Sequence, residues 1–255
     1  MADVGFVGAL SISPLSSRAF LGSSSTSRLY PPYFTNRRSR RSFYHSNNKR
    51  RVIRSAVVDE VGHFNVRVLV PIADGSEEIE TMTLIDVLRR AGANVTIVSC
   101  SDYIDVKMAQ GVSIKAEKML KEIKNEKEMY HAVAIPGGQV ATERMSEEVD
   151  LLYRIQGILE NNGIVAASCS APPNILVKHG LMGNSQGTCY PSPPMEYEMG
   201  KGFKTGKVVV DGQFVTGQGP ATAMQWSLKL VELLFGKLQA DALSEALLLK
   251  EPAVV

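Results

Sequence analysis

From residue 64 onward, short apolar runs alternate with amphipathic stretches, the pattern of a mostly parallel sheet covered by helices on both faces. The run "NVRVLVPI" (65–72) is continuously apolar and rich in β-branched residues, which predicts a strand buried on both sides. The next stretch, "ADGSEEIETMTLIDVLRRAG", predicts a helix. Ser76 is the candidate N-cap, acids fill the first turn, apolar positions fall at 79, 82, 85 and 88, Arg89 and Arg90 close the last turn, and Gly92 terminates it. Further strands are expected at "NVTIVSC" (94–100), within "MYHAVAIPGG" (129–138) and at "GIVAAS" (163–168), with a helix over 147–160 between the last two. "VVVDGQFVTGQGP" (208–220) reads as a hairpin turning at Asp211-Gly212, and "ATAMQWSLKLVELLFG" as the closing helix. The fold class expected is a three-layer α/β/α sandwich of flavodoxin-like order. No internal repeat interrupts it.

Composition adds a boundary. Of 28 Lys/Arg and 26 Asp/Glu in the 255 residues, ten basic and one acidic (Asp3) precede residue 59, together with twelve serines. The remainder carries 18 basic and 25 acidic side chains, so a net charge of +2 hides two regions of opposite sign. An Arg-rich, Ser-rich, acid-poor leader over 1–58 has the composition of a plastid transit peptide, and the small residues of "VIRSAVV" place processing near Ser55 or Ala56. The competing reading, a basic tail for nucleic acid or acidic partners, fits a Lys-poor, Ser-rich segment less well. Residues 64–250 then form the folded domain and 251–255 a tail. No run of 18 apolar residues occurs, so no membrane segment is expected.

Three cysteines (Cys100, Cys169, Cys189) and four histidines (His45, His63, His131, His179) are too few and too irregularly spaced for a disulfide framework or a zinc site. No metal centre is expected. Three loop motifs do fall where an open α/β sheet places its chemistry, at the C-terminal ends of strands: "ADGSEEIE", "PGG" and "SCSAPP". In the last, a strand delivers Cys169 to a tight elbow before two prolines suited to a helix's first turn. The positive end of that helix would favour a thiolate, whereas a small buried filler is the plain alternative for a free cysteine.

These motifs, with "GSEEIETMTLIDVLRRAGANVTI", "AIPGG", "VAASCSAPPNIL" and "DGQFVTGQGPATAMQWSLKLVELL", resemble the DJ-1/PfpI family from about Val66 to Leu249. The resemblance is to the Parkinsonism-associated deglycase branch within the class I glutamine amidotransferase-like superfamily. It implies that Cys169 is the nucleophile, Glu80 the carboxylic acid bonded to it, and the backbone amides of Gly138 and Ser170 the oxyanion donors. Gly137, Tyr190, Gln110 and Gln218 would line the pocket. Glu77 and Glu78 share the first turn with Glu80 and are expected to serve the helix dipole.

The implied activity is cofactor-independent conversion of methylglyoxal or glyoxal to a hydroxy acid, or deglycation, by a homodimer without nucleic-acid or membrane partners. Several positions depart from the family pattern. Tyr190 stands where related enzymes have histidine, and a tyrosine is a poor base at neutral pH. Gln110 and Gln218 replace two arginines, so the pocket should attract anions less. Ser170 replaces a common alanine, Ser168 lies on the other side of the cysteine, and the Cys169–Tyr190 spacing suggests a one-residue insertion. Plant relatives often carry two tandem domains, whereas one is present here. His131 or His179 could substitute for the missing histidine, although His179 is expected in the helix after the elbow, on the surface or packed. Cys189 could resolve an oxidised Cys169, although two unbonded thiols are the simpler expectation. A PfpI-type protease would need histidine directly after the cysteine, and an amidotransferase a downstream His-x-Glu; neither is present. The alternative function is a noncatalytic plastid redox sensor or chaperone-like protein acting through Cys169 oxidation.

Overall fold

The computed structural model describes residues 65–126 and 129–249. The leader with its processing site, the tail, His45 and His63 lie outside the described residues. The chain runs through β1 (Arg67–Ile72), α1 (Glu78–Arg90), β2 (Asn94–Ser99), β3 (Asp105–Lys107), β4 (Ser113–Lys115), β5 (Lys118–Met119), α2 (Leu120–Ile123) and β6 (Ala132–Ile135). It continues through α3 (Gln139–Ser146), α4 (Val149–Glu160), β7 (Ile164–Ser168), α5 (Pro193–Met199), β8 (Val208–Asp211), β9 (Phe214–Gly217), α6 (Ala223–Phe235) and α7 (Lys237–Ala246).

Seven strands form one sheet in the order β5-β2-β1-β6-β7-β9-β8, all neighbours parallel except the β8–β9 hairpin, while β3 and β4 pair separately. The class is the α/β sandwich expected. Val68, Val70 and Ile72 on one sheet face pack with Leu84, Val87 and Leu88 of α1 and Trp226 and Leu230 of α6. Leu69, Val133 and Val165 on the other face pack with Met145 of α3, Leu151 and Ile155 of α4, and Ile175 beyond the elbow. Each such side chain, removed from water, contributes about 1.5–3 kcal/mol, and together they fix the strand ends that carry the loops. The chain progresses outward from β1 to β2, then returns to place β6 on the other side of β1. That switch point opens a crevice at the strands' C-terminal ends.

Four details depart from expectation. The N-cap of α1 is Glu77, not Ser76: the Glu77 carboxylate accepts from the Glu80 N–H at 2.7 Å, while the Ser76 hydroxyl turns back to accept from the Ala73 N–H at 3.0 Å. Ile79 and Met82 are exposed, because the buried face of α1 is set by Glu80, Thr81, Leu84, Val87 and Leu88. The helix expected over 147–160 begins at Val149, and a separate helix, α3, precedes it. Finally, the segment after the elbow, Pro172–Val177, is a π turn instead of an α-helix, with Lys178 N–H donating to Pro173 O five residues back at 3.1 Å. Adjacent prolines withhold donors, and the second crowds the carbonyl four residues earlier, that of Cys169.

Candidate active site

Cys169 follows the last residue of β7 with φ of 60°, a left-handed conformation that a non-glycine residue adopts at a cost of about 1–3 kcal/mol. Two backbone bonds hold it there. Its N–H donates to Gly217 O at 3.0 Å, and its carbonyl accepts from the Tyr190 N–H at 2.9 Å. The elbow is therefore pinned between β9 and the segment that carries Tyr190.

Glu80 approaches from α1 with no exposed surface, and one carboxyl oxygen accepts from the Gly137 N–H at 2.8 Å. The other oxygen, Oε1, is buried without a hydrogen-bond partner. Glycine is required at 137 because an added Cβ would lie 2.4 Å from the Cys169 Cβ and 3.1 Å from Glu80 Oε2. At Gly138, where φ is 103°, it would lie 2.1 Å from Gly75 O. The "PGG" loop can thus fold tightly over the cysteine, giving the Gly137 amide to Glu80 and the Gly138 amide to the thiol.

The electrostatics follow from this packing. Burial pushes the Glu80 carboxyl up to about 7; the Gly137 amide and Ser168 oppose the rise, the Glu77 charge adds to it, and Cys169 opposes it. Burial also pushes the Cys169 thiol up to about 12, assisted by the Glu80 charge and opposed by the Gly138 and Ser170 amides. The helix whose positive end was expected to favour a thiolate is a short π turn; at the thiol, burial raises the proton affinity and the Gly138 and Ser170 amides lower it. What the pair has instead is a carboxyl that changes charge near neutrality beside a protonated thiol, suited to taking the thiol proton as the sulfur attacks.

Cys169, Glu80, Gly137, Gly138 and Ser170 thus come together. Tyr190 sits at their rim, half exposed, its ring 3.4 Å from where a Cβ on Gly219 would be; that same point is 3.9 Å from the Cys169 sulfur. Gln218 adjoins Gly219, but its side-chain amide donates to Thr205 O at 3.2 Å, and Gln110 is exposed with its N–H donating to Glu78 at 2.5 Å. Among the described residues neither glutamine has a hydrogen bond to Cys169 or Glu80. Glu77 and Glu78 serve as the α1 cap and the Gln110 anchor.

His131 accepts from the Arg67 N–H at 3.0 Å, in a structural role, and His179 is half-buried in the turn beyond the π segment. All three cysteines are free. Cys189 is buried, donates to the Tyr190 carbonyl, and has its thiol pushed up to about 12 by burial. Among the described residues no group of three or more metal-ligating side chains stands together, and no helix is long and apolar enough to cross a membrane. Sequence reasoning did not single out Gly219, Thr142 and Asn174. Gly219 stands directly after Gln218, within the motif "GQGP", so the signal there was available.

Such a site, a cysteine on a nucleophile elbow at the switch point of a parallel sheet, with a buried carboxyl held by one backbone amide and two other amides acting on the sulfur, defines an elbow-cysteine α/β protein. The chain belongs to the DJ-1/PfpI family, whose model matches residues 66–233. It is 32% identical over 182 residues to protein DJ-1 homolog B of Arabidopsis thaliana, covering 71% of this chain and 41% of that protein, so it spans less than half that relative's length. It is 30% identical to the glutathione-independent glyoxalase DJR-1.2 of Caenorhabditis elegans, covering 71% of this chain and 95% of that one. Among solved structures, oxidized DJ-1 of Toxoplasma gondii superposes with a TM-score of 0.68 at 37% identity, covering 72% of this chain and 98% of that one.

Proposed function

We propose that this protein is a cofactor-independent glyoxalase or deglycase-like enzyme acting on small dicarbonyls. The observation that carries the reading is the Glu80 carboxyl, fully buried, raised to about 7 and set against Cys169 by the Gly137 amide. In the proposed reaction the Cys169 sulfur bonds to the aldehyde carbon of methylglyoxal and the carbonyl electrons move to oxygen. The thiol proton passes to the Glu80 carboxylate, and the Gly138 and Ser170 N–H groups hold the oxyanion. Glu80 then gives that proton to the oxyanion, which completes the hemithioacetal and restores the carboxylate. The carboxylate carries the aldehydic proton to the neighbouring carbonyl carbon while the hydroxyl proton moves to the former ketone oxygen, and the product is a hydroxyacyl thioester. Water cleaves it to lactate and restores the thiol. The net change is hydration with internal redox, so no outside oxidant enters. The glyoxalase relative supports the same chemistry.

A second reading, redox sensing, is favoured by the same two amides aimed at sulfur, which would equally hold the oxygens of an oxidised cysteine. The test is incubation with methylglyoxal in the absence of glutathione. Lactate formed by the unmodified protein and lost in Cys169→Ala and Glu80→Gln supports the enzyme; no lactate above those controls rejects it and leaves the sensor.

Two further parts of the proposal concern context. Ile79 and Met82 form an exposed apolar pair near the start of α1, ahead of the charged Asp86, Arg89 and Arg90; the pair supports a homodimer through that end of the helix, to be checked by sedimentation of Met82→Glu. The leader's composition supports import into the plastid stroma, to be checked by imaging a leader–fluorescent-protein fusion.

A further inference from the structure

The two backbone amides that lower the proton affinity of the Cys169 thiol belong to different parts of the chain. Gly138 is the N-cap of α3, and Ser170 follows the cysteine on the elbow. Nothing covalent nearby fixes their separation, yet an oxyanion needs both donors at once, and a misplacement of about 1 Å costs on the order of 100-fold in rate. A polar bridge joins the two elements just behind the site. Thr142, one turn into α3, has its N–H bonded to Gly138 O at 2.9 Å. Its hydroxyl proton is shared between the Ser170 hydroxyl at 3.0 Å and Gln139 O at 3.1 Å, and its oxygen accepts from the Asn174 side-chain amide at 2.8 Å. Asn174 lies in the π turn, with its own N–H on Ser170 O at 3.1 Å. Thr142 and Ser170 are almost fully buried, so the bridge is shielded from competing water. At the other end of α3, Lys178 bonds Ser146 at 2.9 Å and Glu147 at 2.6 Å, so the same two elements are fastened twice.

We infer that the Asn174–Thr142–Ser170 bridge is a positioning device that sets the spacing of the Gly138 and Ser170 amides, and that the Ser170 hydroxyl faces away from substrate to make it. This deepens the dicarbonyl reading and, for turnover, rests on it. The spacing itself acts on the sulfur whether or not substrate is turned over.

The test uses Thr142→Val, which keeps shape and removes the hydroxyl, with Ser170→Ala as a second variant and Thr142→Ser as the conservative rescue. Two readouts apply: kcat and KM for methylglyoxal, and the iodoacetamide alkylation rate of the Cys169 peptide by mass spectrometry, which reports amide support of the thiolate. The expected result is kcat lowered about 10-fold with KM within about 2-fold, alkylation slowed about 3-fold or more, and both restored by Thr142→Ser. Unchanged kcat and alkylation, or a loss of thermal stability alone, would overturn the inference. If the unmodified protein forms no lactate, the dicarbonyl reading falls, and the alkylation comparison alone then decides the positioning role.

Discussion

Cys169 lies between two buried polar regions that are completed to different degrees. On the elbow side, Ser170, Thr142 and Asn174 satisfy one another. On the α1 side, Glu80 has one oxygen bonded to Gly137, while the other has no donor at full hydrogen-bond geometry and only Ser168 and Cys169 close enough to oppose the rise in its proton affinity. A satisfied buried network fixes geometry, whereas an incompletely satisfied buried carboxyl is costly and changes its proton affinity. The contrast assigns shape to the first region and proton transfer to the second.

The strongest way to break the comparison is to remove the reacting groups. Cys169→Ala should reduce methylglyoxal turnover to background, and Glu80→Gln should lower kcat by about 10²–10⁴-fold, measured as lactate formation. A Glu80→Gln variant with unaltered kcat would transfer the proton work elsewhere. Next in size, Gly138→Ala should destabilise the fold by about 3 kcal/mol or more, since the new Cβ meets Gly75 O at 2.1 Å in a positive-φ conformation; denaturant unfolding measures this.

Stability should also depend on pH through Glu80. Its folded value, about 7, lies above its ordinary 4.5, so between those values the folded protein holds the extra proton. Stability is greatest below that window, falls as pH rises through it and levels off above, a contribution of about 3 kcal/mol. Glu80→Gln should remove that slope in unfolding curves taken across the window, and gain stability relative to the unmodified protein at alkaline pH. The smallest effect is expected at Tyr190, whose backbone N–H does the holding while its side chain stands at the rim. Tyr190→Phe should change kcat/KM by less than about 3-fold, about 0.6 kcal/mol, and a larger loss would give the hydroxyl a part in the chemistry.

Much of this architecture was legible in the sequence because strands buried on both faces leave continuous apolar runs and helix ends leave charged and glycine signals. The loop motifs pointed to Cys169, the family resemblance singled out Glu80, Gly137, Gly138 and Ser170, and the structure brings the five together. What periodicity could not show was tertiary. Ile79 and Met82 follow the apolar spacing of α1 yet face outward, while Glu80, charged by composition, takes the buried position. Ser76 and Glu77 are both competent caps, and the choice between them depends on the Ser76 hydroxyl finding the Ala73 amide. The π turn arises from the fit of Pro173 against the elbow, and Thr142 meets Ser170 across 28 residues of sequence. The paired prolines mark where the turn is disturbed but not its π form, and the Thr142–Ser170 contact has no local signature.

The central claim is that a buried carboxyl poised near neutrality works beside the elbow cysteine. The most direct measurement is an infrared pH titration of the protonated-carboxyl band, with Glu80→Gln as the reference that identifies it. A band assigned to Glu80 with its midpoint near 7 is the predicted result. A midpoint near the ordinary 4.5 would contradict it, showing that Glu80 is already a carboxylate throughout the neutral range and not held in reserve for the thiol proton.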